Sequence, residues 1–362
     1  MALEARILDA SPANAGKWEQ AVVSVPAPDV YFLPGYAAAY EQVESCRALC
    51  FIAWEADRLG INVFLARPVD DLPFAIESTG LWDAVTPYGY GGPVFNREAL
   101  EDPGFVGRFF QAFADHCRRE GIVDWFVRFH PLLWNHLPCE KYMEVIEGGP
   151  TVFLNLEGTP ERIAAEFSSP CRRNLNKAMD AGLEIRPMSV DKELDAFVDL
   201  YHRTMERAGA NATYFFPRSY FEAMRKGLGG KMILLGAFAG DRLACCAMFL
   251  LGGRIAHYHL GASNPDLLHL RPNNLLFYRS FLLAKENGAS LFHLGGGYRG
   301  EDSLLRFKRG FSRSSSRFFM GRAVFLPKEY EKLTAMWRTY RGADHGGDQA
   351  YFPIYRSPED AG

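Results

Sequence analysis

Short apolar bursts suited to strands alternate along this chain with longer stretches of helical period, and the alternation runs through the same order twice. Phe51–Ala66 reads as strand, turn, strand, its apolar runs flanking Ala56-Asp57-Arg58-Leu59-Gly60. Phe105–Glu120 has the spacing of a helix that stops at Gly121, and Val123–Pro131 is a strand ending in proline. Ahead of these, Tyr31-Phe32-Leu33-Pro34 leads into a helix candidate, and Thr86–Phe95 (TPYGYGGPVF) forms a glycine-rich aromatic loop.

The second half answers element by element. Tyr214–Pro217 (YFFP) stands 183 positions after Tyr31–Pro34 (YFLP). Gly236–Leu251 repeats the strand-turn-strand pattern, and its Asp241-Arg242-Leu243 lies 184 positions after Asp57-Arg58-Leu59. A helix ending at Gly288 precedes the strand ASLFHL, as the helix ending at Gly121 precedes its own strand. Landmarks of matching type in matching order indicate duplication. The mixture of helices and antiparallel hairpins in each copy predicts an α/β fold with a mixed sheet flanked by helices. The expected division is residues 1–150, residues 151–325, and a C-terminal helix and tail over 326–362, with the last strands able to exchange between halves. The second copy opens on a strand (TVFLNLEG) and a helix with Thr159 as N-cap and Pro160 at its first position. Arg172, Arg173 and Lys177 gather on the next helix, and the tail reads as coil or a frayed end.

Length and composition fit this plan. A chain of 362 residues, 48% hydrophobic and 14% aromatic, can build two well-packed cores. A net charge of −3 confines any nucleic-acid contact to a local patch. The seven cysteines are odd in number and form no CxxC pair, which points to reduced core thiols and against a disulfide framework or zinc site. The first ten residues carry mixed charges without an apolar signal segment, and no run approaches about 18 apolar residues. The expectation is a cytoplasmic protein without an integral membrane segment.

Candidate chemistry concentrates between Leu291 and Phe311. An apolar strand breaks into Gly295–Gly297, where a ligand's polar group can approach the backbone. Phe307-Lys308-Arg309-Gly310-Phe311 then reads as a basic strand with cations between aromatic rings. A lysine beside such a loop can hold a phosphate or a developing oxyanion; it can equally be a surface lysine on an edge strand. From Arg299 to Arg322 seven cations (Arg299, Arg306, Lys308, Arg309, Arg313, Arg317 and Arg322) face Glu301 and Asp302, with Tyr298, Phe307, Phe311, Phe318 and Phe319 interleaved. That composition suits the single-stranded end of an RNA, an acidic cofactor, or a solvated strand face. His257 and His259 alternate near Tyr258, and His293 precedes the glycines; they are minor candidates for a general base. His257-x-His259 has no third ligand at metal-site spacing, so no metal is expected.

CRRNLNKAMDAG, LYHRTMERAGANATYFFPRSYFEAM, LGASNPDLLHLRPNNLLFYRSFLLAKENGASLFHLGG and FKRGF occur in that order between Cys171 and Phe311. Together they resemble the Fem family of tandem-GNAT transferases, aminoacyl-tRNA-dependent ligases that build peptidoglycan cross-bridges. The likeness is to the shorter members without a coiled-coil arm, and in the first half it rests on the YGYGGPVF loop. It implies two tandem GNAT-like domains, the first on the acceptor side and the second on the donor side. Lys308, with Phe307 beside it, matches the family lysine at the acyl-transfer site. Arg207 matches an arginine that contacts acceptor phosphates, although a cation before Gly209 also satisfies helix C-terminal carbonyls. Tyr214 and Tyr258 lie where family tyrosines approach the acceptor, or are core aromatics. Tyr88 and Tyr90 belong to the loop that faces the acceptor channel, or to buried loop packing. One departure stands out: where cross-bridge enzymes carry a basic residue four positions after an aromatic, this chain has Tyr36 and Tyr40. That leaves room for an amine acceptor other than a nucleotide-linked precursor.

The donor can be framed from the helix start Leu270-Arg271-Pro272-Asn273-Asn274-Leu275. Acetyltransferases of this superfamily place a glycine-bearing loop there for the coenzyme A pyrophosphate. Here Arg271 is present and both glycines are missing, which turns the reading from acyl-CoA toward aminoacyl-tRNA. Arg271, Asn273, Asn274, Arg306, Arg309 and Arg313 are the candidate donor contacts. The leading expectation is aminoacyl transfer from charged tRNA to an amine-bearing small molecule or peptide, with no resident cofactor. The alternatives are acyl-CoA-dependent N-acyl transfer and a non-catalytic binding relative.

Overall fold

The computed structural model describes residues 2–26, 28–75, 78–297, 302–342 and 351–357. The chain forms two compact units: Met1–Ala27, Tyr31–Gly148 and Phe318–Gly362 in the first, Pro28–Val30 and Gly149–Arg317 in the second. Residues 318–362 therefore build the first unit, where the sequence pattern had assigned them to the end of the second domain and to a separate tail.

The first unit begins with β1 (Glu4–Asp9), α1 (Pro12–Val23) and α2 (Pro34–Ala38). The predicted hairpin is β2 (Arg47–Glu55) and β3 (Arg58–Pro68), followed by β4 (Trp82–Val85), β5 (Val94–Phe95), α3 (Arg97–Leu100), α4 (Pro103–Arg119) and β6 (Ile122–Arg128). Asp102 caps α4 by accepting from Gly104 and Phe105, and Gly121 closes it at φ 70°. The apolar stripe of α4 (Phe105, Phe109, Phe110, Phe113, Cys117) packs on the sheet against Phe51, Phe64 and Trp125. Burying such a ring stabilises by roughly 1.5–3 kcal/mol.

The second unit takes up the chain within β7 (Glu144–Asn155) and continues through α5 (Pro160–Ala165), α6 (Ser169–Asp180), β8 (Glu184–Pro187), α7 (Val190–Ala208) and α8 (Arg218–Leu228). Then come β9 (Met232–Ala239), β10 (Arg242–Gly252), β11 (Ile255–Ser263), α9 (Pro272–Glu286), β12 (Leu291–Gly296) and α10 (Ser303–Arg309). Its strands lie in the order β8-β9-β10-β11-β12-β7, antiparallel except for β11 and β12. The core is formed by Phe249, Phe277, Phe281, Phe292 and Phe311 with their aliphatic neighbours. The chain then returns to the first unit through β13 (Ser315–Val324), whose Met320–Val324 pair with β6, and α11 (Pro327–Arg341), which packs Leu333 and Trp337 on Val69 and Val123.

The first unit's order is β1-β2-β3-β4-β6-β13, again with one parallel pair, β4 and β6. Each unit is thus a mixed, mostly antiparallel sheet flanked by helices, and the duplication extends to the position of the parallel pair. Even the hairpin turns correspond: Ala56 (φ 55°) and Gly240 (φ 59°), 184 residues apart, take the same left-handed conformation. All seven cysteines are free thiols, six of them buried. Among the described residues no helix is long and apolar enough to cross a membrane.

Candidate active site

The parallel strands of the second unit stay together for only three residues. Ile255–His257 pair with Leu291–His293; beyond that β11 continues along β10 while β12 follows β7. Two strands that part in this way leave a wedge with unshared backbone at its mouth. In the first unit the equivalent opening is bridged by the YGYGGP loop. Thr86 Oγ1 accepts from Arg128 N–H at 3.1 Å, Gly91 N–H donates to the Arg128 carbonyl at 2.7 Å, and the Asn135 amide fastens Gly91 and Pro93. Duplicated sheets thus treat the same opening differently.

Lys308 enters beside the wedge of the second unit. The sequence pattern predicted a basic strand over Phe307–Phe311; the structure has the last turn of α10 there. Asp302 caps that helix by accepting from Leu305 N–H at 2.8 Å, and a strand is precluded once the cap and the helical turn set the register. Three residues apart, Leu305 and Lys308 share the inward face, so the lysine goes inside with the leucine. Lys308 is 4% exposed. Its Nζ donates to the Gly296 carbonyl at 2.6 Å and lies 5.3 Å from the centre of the Tyr258 ring.

The glycines of β12 make that contact possible. Gly295 takes φ 76° at a register irregularity in its pairing with β7, and a side chain there would start 3.3 Å from Lys308 Nζ. Burial lowers the Lys308 pKa to about 7, against the opposing pull of Asp302. An amine so tuned changes charge near neutral pH while fixed by a carbonyl and a ring.

Tyr258 is the first β11 residue past the last pair, packed between Phe277 (4.9 Å between ring centres) and Phe249 (6.1 Å). Burial raises its hydroxyl well above the usual range. Phe307 packs on Phe277 and Phe311 and helps set α10 against the core.

The other sequence candidates fall elsewhere. Both terminal nitrogens of Arg207 donate to the Ser263 carbonyl at 3.2 Å, so this arginine ties the end of α7 to the end of β11. Asn273 exchanges hydrogen bonds with Ser263 Oγ, the shorter at 2.9 Å. Asn274 is buried and donates to Cys171 Sγ at 3.4 Å, and burial pushes that thiol up to about 11. Arg271 is exposed at the start of α9 with φ 59°, an unusual conformation ahead of proline. Arg306, Arg309 and Arg313 are exposed on and just past the C-terminal turn of α10. Tyr214 offers its carbonyl to Tyr201 Oη at 2.5 Å. In the first unit the Tyr88 carbonyl accepts from Tyr36 Oη, while Tyr90 packs its ring on Tyr31, His130 and Phe318. Burial raises the Tyr90 hydroxyl to about 12. Tyr298, Arg299 and Glu301, part of the expected cationic patch, and most of the expected coil tail lie outside the described residues.

The histidines have partners of their own. His257 Nε2 meets Asp29 Oδ2 at 2.9 Å, both groups buried, and Asp29 arrives with the short segment Pro28–Val30. His259 Nε2 meets Tyr220 Oη at 2.8 Å, and burial, with the field of His257, lowers its pKa to about 3. Sequence reasoning missed Asp29 and Ser263. Asp29 lies more than two hundred residues from His257, and neither residue carries a motif.

The family described as Acetyltransferase (GNAT) domain matches residues 166–309, a span that contains the wedge and Lys308. Aminoacyltransferase FemB of Staphylococcus epidermidis is 47% identical over 57 residues, 16% of this chain. The crystal structure of FemX superposes with a TM-score of 0.70 at 14% identity, covering 91% of this chain and 99% of that one. This chain carries an acetyltransferase (GNAT) domain and is similar to the Fem aminoacyltransferases. The FemB match spans 13% of that relative's length. A tandem GNAT protein from the clavulanic acid biosynthesis pathway is similar in fold to this chain, with a TM-score of 0.53 at 13% identity, over 90% of this chain and 99% of the other.

Proposed function

We propose that this protein, like the Fem enzymes it resembles, is an amide-forming transferase that moves an aminoacyl group from aminoacyl-tRNA to an amine acceptor, with Lys308 at the reacting carbonyl. The observation that carries the reading is the buried Lys308 ammonium at the mouth of the β11/β12 wedge, 2.6 Å from the Gly296 carbonyl. In the reaction the acceptor amine attacks the ester carbonyl of the donor. The C–N bond forms, the carbonyl π pair moves onto oxygen, and the ammonium stabilises the resulting oxyanion. Collapse expels the ribose hydroxyl of the donor, and the proton lost by the amine ends on that leaving oxygen. Removing one such oxyanion donor from an enzyme costs about 3–4 kcal/mol of barrier.

The name of the relative FemB supports aminoacyl transfer, and the tandem fold supports acceptor and donor halves. For the donor, the start of α9 carries Arg271, Asn273 and Asn274 where a coenzyme A loop would carry glycines. Asn273 and Asn274 direct their side chains to Ser263 and Cys171. Exposed Arg306, Arg309 and Arg313 can meet RNA phosphates. The acceptor is an amine of a cell-wall precursor or of another small molecule or peptide.

A panel of charged tRNAs and acyl-CoAs, each with one labelled acyl group, tests the proposal against amine acceptors. Transfer that is abolished by RNase supports the tRNA donor. Transfer from acyl-CoA that survives RNase overturns that donor in favour of coenzyme A chemistry. Acceptor binding that persists without transfer, and is indifferent to Lys308→Ala, overturns catalysis in favour of a binding role.

A further inference from the structure

Tyr258 and Gly261 are three residues apart on β11, a separation that puts two side chains on opposite faces of a regular strand. Here they share a face. Met248 pairs with Leu260 and Phe249 with Tyr258, so His259 is an extra residue that shifts the register by one. His259 is fastened in that bulge by Tyr220. The Tyr258 ring then lies along the strand over Gly261, where a side chain would begin 2.7 Å from Oη and 3.0 Å from Cε2. Gly261 pairs with Ala247 in the strand interior and has no left-handed φ, so its backbone does not call for glycine. A glycine that conformation does not require marks a close approach.

We propose that Gly261 is a positioning residue for acyl transfer: by carrying no side chain, it lets Tyr258 lie with its ring against the Lys308 ammonium. The ring has few other places to go, because Phe249 and Phe277 stand on its flanks. The groups around the ammonium are the Tyr258 ring from β11, the Gly296 carbonyl from β12 and the Asp302 carboxylate at the start of α10. Of these, Gly261 controls only the first. The inference rests on the reading of Lys308 as the transfer lysine.

The test follows the titration of Lys308 in the full chain without donor, by NMR of lysine labelled with 13C at Cε, the resonance being assigned by its loss in Lys308→Met. Tyr258→Leu removes the ring and is expected to lower the Lys308 midpoint by about half a unit to one unit, because the ring favours the charged form. Gly261→Ala is expected to produce the same shift, and Tyr258→Phe to produce little. The double variant Gly261→Ala/Tyr258→Phe lacks the oxygen that the new methyl meets first, so its midpoint returns most of the way to that of the parent. In a Tyr258→Leu background, where no ring remains to displace, Gly261→Ala should change nothing, and this pair also serves if Gly261→Ala alone folds poorly. An unchanged midpoint in Gly261→Ala, or a shift that persists in the Tyr258→Leu background, overturns the inference. Because the midpoint is read without substrates, a shift as expected with no transfer activity would count against the proposed function and leave the positioning role standing.

Discussion

Lys308 reaches from the last turn of α10 to the final residue of β12, where its Nζ donates to the Gly296 carbonyl at 2.6 Å. Two neighbouring glycines serve this one contact in different ways. Gly296 supplies the acceptor oxygen, and Gly295 leaves out the side chain that would crowd the ammonium. The lysine is thereby fixed at a place where its charge is costly to keep, as the proposed reaction asks of a group that meets a developing negative charge.

Lys308→Ala should leave the fold intact and lower kcat for transfer about 100- to 1,000-fold, the usual loss for one oxyanion donor. In the parent protein the ammonium is lost as pH rises through about 7, so kcat should fall on that side. The variant's residual rate should lack this falling limb. Rates measured from pH 5 to 9 check both; a limb that persists in Lys308→Ala would assign it to another group.

The same burial makes Lys308 a source of pH-dependent stability. Its pKa is lowered from 10.5 to about 7 in the folded state, so between those values the unfolded chain binds more protons. Stability from this group therefore rises with pH across that window, and its penalty is full below about pH 7. Lys308→Met should be stabilised relative to the parent at pH 6, with the advantage shrinking toward pH 10. Urea unfolding at three pH values measures it, and parallel curves would contradict it.

Ala56 and Gly240 offer a matched pair in the two hairpin turns. Left-handed backbone costs a non-glycine residue roughly 1–2 kcal/mol, part of which glycine returns through its freer unfolded chain. Ala56→Gly should thus stabilise by up to about 1 kcal/mol and Gly240→Ala should destabilise by a similar amount. Both sites are exposed and no atom crowds Gly240, so conformation alone decides the sign. Thermal unfolding of the two single variants tests this, and shifts of like sign would refute it.

In the first unit, buried Asp83 accepts from Arg67 (2.6 Å) and from Arg356 (2.6 Å), the second contributed by the C-terminal segment. Nearby Tyr355 donates to Asp124, whose pKa is raised by burial and by the charge of Asp83. Arg356→Ala should destabilise by about 3 kcal/mol, because a buried carboxylate loses one of two cations. A carboxyl held above its ordinary pKa lends stability at low pH that disappears as pH rises through the folded value, so Asp124→Asn should flatten that decline. Chemical unfolding between pH 4 and 8 reads both effects.

Much of this was legible in the chain itself. The hairpins at Asp57-Arg58 and Asp241-Arg242, the helix stops at Gly121 and Gly288, and the repeat near 184 residues follow from period, turn chemistry and caps, all of which act over a few neighbours. Lys308 was legible as a candidate because glycines and a lysine stood close in sequence. Its setting was not: the run Phe307–Phe311 sets two cations and a glycine between aromatics and by itself does not separate strand from helix, and only the Asp302 cap and the leucine three residues before Lys308 make it a helix turn.

The sequence by itself determined the duplicated α/β plan, the free cysteines and the lysine worth testing, because each depends on local pattern or on residue type. Tertiary structure decided the rest. It returned residues 318–362 to the first unit, gave Arg207 to the Ser263 carbonyl, set Asp29 against His257, and through the bulge at His259 put Tyr258 and Gly261 on one face, with the Tyr258 ring near Lys308 Nζ. Strand pairing and the burial of charge join residues far apart in the chain, and no local rule of spacing carries that information.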